Sequence, residues 1–271
     1  MADGHDGATA VAIITIPLAT ITALLTQWMW PLLRVGGFVM AAPVLGTRAL
    51  PLRARLILVL ALTSVLAPVV HPANFIDPLT PDGLLTVMQQ VIIGATIGMV
   101  LRLTFMVFEF AGQFIAQQTG LGFAAMVDPT SGAQVPVLGH LYMILASLIF
   151  FAADAHLILI KLLGDSFTVL PIGPLGLASA GAELLVDWSG TLFASALLLS
   201  LPVVIALLAI NLAFGVMTRS APQLNIITIG FPITILAGVM VVSLTLDDLR
   251  GMCLDLFDSA FVITRAALEA R

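Results

Sequence analysis

The chain has 271 residues, of which 60% are hydrophobic and 9% are charged, and its mean hydropathy is +1.15. Values this far from those of soluble domains indicate an integral membrane protein. The net charge of −5 provides no basic surface for nucleic acid, and the single cysteine, Cys253, excludes an intrachain disulfide. No stretch outside the apolar segments is long enough to bury a core of its own, which argues against a soluble catalytic domain.

Six stretches without Asp, Glu, Lys or Arg have about the ~20 residues that cross ~30 Å of hydrocarbon. We therefore predict an all-α, polytopic membrane fold of helical hairpins, with about six main hydrophobic helices and broken or re-entrant segments, in one domain over residues 1–271. In chain order the stretches are Gly7–Leu33, Leu56–Ile76, Gly83–Leu101, Pro129–Ala153, Trp188–Thr218 and Ser220–Leu246. The residues before the first apolar run include Asp3 and Asp6 and lack the basic residues of a signal peptide, and the run itself is too long for a typical cleaved signal. We therefore expect the first helix to be retained.

The positions of Lys and Arg predict an orientation. Arginines follow the first, third and fifth spans, at positions 34, 48, 53, 55, 102 and 219, so these turns are expected on the cytoplasmic side. The acidic segment Asp247–Arg271 then falls on the opposite side. Phe105–Ala125 is apolar enough to be a seventh, broken or re-entrant helix, which would reverse everything that follows it.

Two polar stretches broken by proline interrupt this apolar chain. They are GLGFAAMVDPTSGAQVPVLGH at Gly120–His140 and RSAPQLNIITIGFP at Arg219–Pro232. Irregular backbone at membrane depth needs protein or water around it, because lipid satisfies no N–H or C=O group. We therefore expect both stretches to be sheltered by protein or to line an aqueous path. A conduit is the function that this pattern favours.

Small residues recur at helical spacing. Gly94 and Gly98 form a G-x-x-x-G pair, and Gly112, Ala116 and Gly120 continue the pattern, which predicts close helix packing and assembly. Side-chain amides lie along the same stretch of sequence. For these side chains we favour hydrogen bonding between helices over a role in lining a pore. The amides are Gln89, Gln90, Gln113, Gln117, Gln118 and, further along the chain, Asn211.

Two ionisable side chains lie in an otherwise apolar segment. Arg102 and Glu109 are seven residues apart, and the spacing favours a buried ion pair on one helix face over transport chemistry. Asp154 and Lys161 have the same spacing and are interpreted as a pair at a helix end.

Motifs for catalysis or cofactor binding are weak. Gly120–Ala125 fits G-x-G-x-x-A, but no strand precedes it and no acidic residue follows at the distance that a dinucleotide site requires. The histidines are scattered without zinc-binding spacing, and Asp128 before Pro129 is typical of a turn. We expect no enzyme activity, no metal and no cofactor.

Three long segments carry a family resemblance. They are Trp30–Leu62, Gly120–Pro174 and Asn211–Gly238, and they contain the motifs WPLLRVGGFVMAAPVLG, GLGFAAMVDPTSGAQVPVLGH and NLAFGVMTRSAPQLNIITIGFP. From about Trp28 to about Gly251, in order and without large insertions, the chain resembles the FliR/SctT export-gate family, its flagellar branch in particular.

The resemblance implies a core subunit of the flagellar type III export gate, a multi-pass protein of the bacterial inner membrane at the flagellar basal body. Its implied partners are FliP-like and FliQ-like subunits, FlhB-like and FlhA-like export components, membrane lipid and the unfolded proteins that are exported. The alternatives are an SctT-type subunit of a virulence injectisome, a small-solute transporter, an intramembrane enzyme and a purely structural subunit. No inverted repeat or convergent carboxylate pair favours a transporter or an enzyme.

The segment that matches the family's pore plug is Thr119–Val135, in which Met126 occupies a position where the family favours an aromatic residue. An apolar constriction blocks ions by dewetting, which makes this segment a gate, with permanent packing against neighbours as the alternative. The expected plug residues are Gly120, Leu121, Gly122, Phe123, Ala124, Ala125, Met126, Asp128 and Pro129. The second stretch is expected to bend and to support assembly through Pro222, Asn225, Gly230 and Pro232.

Overall fold

The computed structural model describes residues 18–43, 51–68, 70, 76–78, 80–120, 137–173, 176–220 and 230–270. These residues form eight α-helices and contain no strand, which confirms the all-α fold. The helices are α1 (Leu18–Ala41), α2 (Leu52–Leu66), α3 (Pro81–Gln118), α4 (Val137–Ala152), α5 (Ala155–Val169), α6 (Ser179–Ser220), α7 (Phe231–Leu244) and α8 (Leu246–Glu269).

Helix α3 is the central element and packs against α1, α4, α6 and α8. Its start is well specified, because the Thr80 side chain accepts a hydrogen bond from the Gly83 amide at 3.1 Å and Pro81 occupies the first turn. Asp82 in the same turn complements the positive helix terminus. With 38 residues, α3 is about 57 Å long, which is far more than the hydrocarbon thickness.

The chain returns along α3 through α4 and α5. Gly112 of α3 faces Gly139 at the start of α4, and Phe105 contacts Phe150 near the end of α4, with ring centroids 5.6 Å apart. From the first contact to the second, the residue number falls on α3 and rises on α4, so the two helices are antiparallel. Between α4 and α5 the chain bends by 71°, and Asp154 at the bend has φ = 54°.

Helix α6 runs parallel to α3, and α8 runs antiparallel to α6. The Phe114 and Phe193 rings lie 6.1 Å apart, and Asn211 further along α6 donates to the Gln118 carbonyl, so residue numbers rise together on α3 and α6. Trp188 Nε1 donates a 2.9 Å hydrogen bond to Ser259 Oγ and Gly181 faces the Ala267 carbonyl, so residue numbers run in opposite directions on α6 and α8. A bend of 58° separates α7 from α8. Helices α3–α5 and α6–α8 are therefore two long hairpins lying side by side.

An aromatic cluster joins three of these elements. Phe105 and Phe108 of α3 lie 5.4 Å and 6.1 Å from the ring of Phe257 on α8, and Phe150 of α4 lies 5.1 Å from it. All four rings are buried. Aromatic pairs at these separations contribute about 0.5–1.5 kcal/mol each beyond the area that they bury, so this cluster fixes the relative positions of the hairpins.

The expected broken segments are present in the described residues, but the six apolar runs do not each form one straight span. Among the described residues, α3 and Ser179–Arg219 of α6 are long and apolar enough to cross a membrane, and the count is four if each bent pair is one span. The expected span Leu56–Ile76 is replaced by α2, whose 15 residues cover only about 22 Å. The possible seventh helix, Phe105–Ala125, is not separate, because α3 continues from Leu101 through Gln118 without a break.

Candidate functional site

The expected glycine contacts are made inside the chain, between α1 and α3. A side chain at Gly94 would collide with the Arg34 carbonyl, and one at Gly98 would lie 2.6 Å from the Phe38 carbonyl. Gly37 contributes from the opposite helix, where a Cβ would lie 2.5 Å from the Val91 carbonyl. The two backbones therefore approach closely enough to exclude side chains at all three positions.

The next small residues along α3 contact α4. A Cβ on Gly112 would lie 2.5 Å from the Gly139 Cα, and Ala116 one turn later is also buried. Thus one face of α3 binds α1 near its beginning and α4 near its end, and the role of these positions in assembly with other chains stays a prediction.

Arg34 is a buried centre that the sequence did not reveal. Arg34 belongs to α1 and is fully buried, with 0% of its surface exposed. Nε donates to Gln90 Oε1 at 2.8 Å, and Nη1 donates to the carbonyl and Oγ of Ser166 at 2.8 Å and 3.1 Å. Nη2 donates to the Leu170 carbonyl at 2.8 Å, and the guanidinium carbon lies 4.1 Å from the centroid of the Phe167 ring. One side chain thereby joins α1, α3 and the end of α5.

Among the described residues, the groups that accept hydrogen bonds from Arg34 are neutral oxygens and include no carboxylate. Ser166 lies in the last turn of α5 and Leu170 directly follows it, so their carbonyls carry the partial negative charge of a helix C-terminus. The expectation that Arg34 marks an exposed turn after the first span was wrong, since α1 continues to Ala41. The sequence holds a clue, because apolar and glycine residues, VGGFVMAA, follow Arg34 where a turn would be polar.

The C-terminus of α3 is the second notable centre, because it leads into the expected plug segment. Gly120 has φ = 76°, the left-handed conformation with which glycine commonly ends a helix. The Thr119 amide donates to the Ile115 carbonyl at 3.0 Å, and the Thr119 hydroxyl donates to the Ala116 carbonyl at 2.9 Å. The Gly120 amide donates to the Gln117 backbone carbonyl at 3.3 Å. Three of the terminal carbonyls are thus satisfied locally.

The neighbouring hairpin satisfies the last two carbonyls of this terminus. Asn211 Nδ2 on α6 donates to the Gln118 carbonyl at 3.1 Å, and Thr234 Oγ1 on α7 donates to the Thr119 carbonyl at 3.3 Å. Gly238 of α7 makes room for the contact, because a Cβ there would lie 2.6 Å from the Thr119 Cγ2 methyl. The expected interhelical bond of Asn211 is confirmed, and no carbonyl from Ile115 to Thr119 lacks a partner.

Most residues of the expected plug lie outside the described part of the chain. Only Thr119 and Gly120 of that segment are described, as the end of α3. The following plug residues lie outside it: Leu121, Gly122, Phe123, Ala124, Ala125, Met126, Asp128 and Pro129.

The second polar stretch separates α6, which ends at Ser220, from α7, which begins at Phe231. Of its expected assembly residues, Pro222 and Asn225 lie outside the described residues. Gly230 is buried directly before α7, and Pro232 is exposed in the first turn of that helix, where proline is tolerated.

The expected buried pair of Arg102 and Glu109 is not formed. Arg102 is exposed and Glu109 is partly buried, whereas Arg265 and Glu269 on α8, four residues apart, do pair, at 3.0 Å. A separation of seven residues corresponds to about 10.5 Å along a helix, whereas residues three or four apart are neighbours. The same geometry explains why Asp154 and Lys161 do not pair. Across the described ranges, no three His, Cys, Asp or Glu side chains group to hold a metal ion.

Comparison with known proteins places the chain. Residues 25–260, from α1 into the last turns of α8, match the family described as bacterial export proteins, family 1. The chain belongs to this family. The match includes both the Arg34 centre and the end of α3, and it confirms the resemblance inferred from the sequence motifs.

Several relatives in this export family are described as flagellar biosynthetic protein FliR. The protein from Pectobacterium carotovorum subsp. carotovorum is 37% identical over 236 residues, which cover 87% of this chain and 90% of the relative. The protein from Escherichia coli (strain K12) is 38% identical over 237 residues, with 88% and 90% covered. The protein from Caulobacter vibrioides is 32% identical over 224 residues, with 82% and 89% covered.

Proposed function

We propose that the chain is a core subunit of the flagellar type III export gate and that Thr119–Val135 seals the channel through which unfolded proteins cross the inner membrane. The observation that carries the flagellar role is the identity of 37–38% with flagellar FliR proteins over nearly nine-tenths of the chain. The buried end of α3, with Gly120 in the left-handed conformation, supports the location of the seal.

The chemistry of this end favours a segment that is sheltered by protein. The chain leaves regular helix at Gly120, and every carbonyl from Ile115 to Thr119 has a donor within the protein. A helix end with this complete set of partners tolerates a site without water. The segment that follows begins with the apolar sequence LGFAAM, and apolar side chains can close a narrow pore by dewetting.

The proposed assembly follows from the family. One copy of this chain completes a helical ring of FliP-like and FliQ-like subunits around the channel, and FlhB-like and FlhA-like components contact the ring in the inner membrane at the flagellar basal body. An exposed apolar face on α6 supports a site for neighbouring helices.

The deciding experiment measures conductance of the assembled complex in planar bilayers. Deleting Gly122–Met126, or changing both Phe123 and Met126 to Ser, is expected to leave assembly intact and to raise the resting ion conductance, because water then enters the constriction. Ala124→Trp is expected to reduce secretion without added leakage, since the larger side chain favours the closed packing.

Val262→Ser provides the matched control, because it introduces the same hydroxyl at a side chain that is 62% exposed on α8. This control should leave both conductance and secretion unchanged. A deletion variant that assembles and remains ion-tight would show that the seal lies elsewhere, and a deletion variant that fails to assemble would assign Thr119–Val135 a structural role.

A further inference from the structure

A small apolar groove lies on the surface between α3 and α6. Its volume is about 240 Å³, and it is open along one side. A groove of this volume is filled by one narrow, extended group, whereas a helix with its side chains is about 10–12 Å wide and would rest on the rim. The residues that line the groove include Ile92, Ala95, Met99 and Leu103 of α3 and Leu185 and Trp188 of α6.

The described side chains that line the groove offer no free polar group to a ligand. Thr96, which also lines it, donates its hydroxyl to the Ile92 carbonyl at 2.8 Å, and Trp188 Nε1 donates to Ser259 Oγ at 2.9 Å. Ile92 and Met99 are about half exposed, at 53% and 49%. This surface favours hydrocarbon, because a polar ligand would lose its hydrogen bonds to water without gaining others.

The length of the groove matches one leaflet of a bilayer. The part of α3 without charged residues, Gly83–Leu101, is about 28 Å long, close to the ~30 Å of hydrocarbon in a membrane. Ile92 lies at the middle of this run, and Arg102 directly follows its end. From Ile92 to Leu103 the groove extends about 16 Å along α3, which is about half of the hydrocarbon thickness.

A cation lies at the end of the groove that reaches the headgroup level. Arg102 is exposed, and within the described ranges it forms no hydrogen bond or ion pair. It follows Ala95 by seven residues and Met99 by three, so it lies on the edge of the groove. Glu183 and Asp187 of α6 are exposed on the side of that helix away from the groove, so neither acid neutralises this end.

We propose that the groove binds an anionic phospholipid, with one acyl chain lying between α3 and α6 and the phosphate at Arg102. Guanidinium binds phosphate well, because its planar donors match two phosphate oxygens at once. The orientation predicted from Lys and Arg places Arg102 on the cytoplasmic side, where anionic lipids attract basic side chains. The site is distinct from the segment proposed to seal the channel and does not depend on that function.

Photo-crosslinking in lipid nanodiscs tests this site. The full chain, with any subunits that co-purify with it, is reconstituted in phosphatidylcholine that contains a trace of phosphatidylglycerol with a diazirine on its acyl chain. After irradiation, mass spectrometry of the peptides locates the label. We expect label on Ile92–Leu103 and Leu185–Trp188, and unlabelled phosphatidylglycerol should compete about fivefold better than phosphatidylcholine, since one arginine near the surface contributes about that factor.

Two variants separate the headgroup from the acyl chain. Arg102→Gln is expected to reduce labelling of the groove about fivefold, whereas Arg102→Lys retains the charge and most of the labelling. Ala95→Phe fills the groove and is expected to abolish the label there. Arg102→Gln changes an exposed side chain, so it keeps the test decisive if Ala95→Phe disturbs the fold.

Arg250→Gln is the matched control, because it removes the same charge from an exposed position on α8, away from the groove. It should leave the labelling unchanged. Equal competition by the two lipids, with Arg102→Gln labelled like the unaltered chain, would mean that the groove meets only bulk lipid and would overturn the proposal. A groove without label would also overturn it, since a protein segment would then cover the site. Equal losses in Arg250→Gln and Arg102→Gln would assign the effect to net charge and reject a specific site.

Discussion

In the part of the chain that the structure describes, Arg34 joins three helices through neutral oxygens and one aromatic ring. Its four hydrogen bonds go to neutral oxygens, and two of these are carbonyls at the end of α5. The helix terminus contributes partial negative charge, and the face of the Phe167 ring adds a cation–π contact. Because the guanidinium presents its donors in a planar fork, lysine cannot reproduce the arrangement.

The partners of Arg34 predict strong coupling in a double-mutant cycle. Arg34→Met takes a donor from Gln90 Oε1, Ser166 Oγ and the Leu170 carbonyl, and it is expected to destabilise the chain by about 1–3 kcal/mol for each acceptor that stays buried without a donor. Gln90→Leu removes one acceptor from a buried cation and should cost about 1–3 kcal/mol. The double variant should cost clearly less than the sum, because each change removes a group that the other leaves unpaired. Thermal unfolding of the detergent-solubilised complex gives all three values.

Arg265→Met is the control for this cycle. Arg265 pairs with Glu269, but the two side chains are 71% and 52% exposed, and solvent screens such pairs until they contribute little. The control should therefore change stability by no more than about 0.5 kcal/mol. Equal effects of Arg34→Met and Arg265→Met would show that the buried contacts of Arg34 do not stabilise the fold.

At the scale of helices, glycine determines how closely α1 approaches α3. Gly37, Gly94 and Gly98 each face backbone of the opposite helix, so none of them can carry a side chain without separating the two helices. Gly36 and Gly190 are also helical, but nothing lies within 4 Å of a Cβ built at either position. Glycines of the same chain thus differ sharply in what a methyl group would meet.

This difference gives a paired test. Gly94→Ala is expected to destabilise the chain by about 1–3 kcal/mol, because the methyl group overlaps the Arg34 carbonyl and backbone must move. Gly190→Ala on α6 is expected to be neutral or to stabilise by about 0.4–1 kcal/mol, since alanine restricts the unfolded chain and favours helix. Thermal unfolding measures both, and a neutral Gly94→Ala would contradict the close contact of α1 and α3.

The sequence predicted helix type and close packing better than it predicted helix limits. Charge-free runs revealed the apolar parts of α3 and α6, but Arg102 was taken as the end of a span although α3 passes through it. A charge ends an apolar run without ending a helix, so charge-based boundaries miss a helix that is longer than the hydrocarbon. Arg34 and the donors to the α3 terminus depend on contacts between residues 56 to 136 positions apart, which no local pattern contains.

At the scale of the whole molecule, exposed surfaces divide into two kinds. The buried face of α8 packs on the hairpins, whereas its exposed face carries Asp247, Asp248, Asp255 and Asp258, which need water or charged partners. The outer face of α6 instead carries a stripe of apolar residues at helical spacing. This stripe consists of Leu197, Leu201, Ile205, Leu208, Leu212 and Val216, and Leu212 is 70% exposed.

The apolar stripe on α6 needs lipid or partner helices to cover it, and the proposed function assigns this role to partner helices. If the proposed assembly is correct, the chain alone is expected to be recovered poorly, and co-expression with FliP-like and FliQ-like subunits is expected to yield a larger, detergent-stable complex in which partner helices cover this face. Leu208→Gln should reduce recovery of the complex, whereas Val262→Gln on the exposed face of α8 that also carries Asp255 and Asp258 should not. Size-exclusion chromatography of the co-purified subunits measures both effects. A stable monomer under co-expression, with Leu208→Gln and Val262→Gln indistinguishable, would show that lipid rather than a partner covers α6.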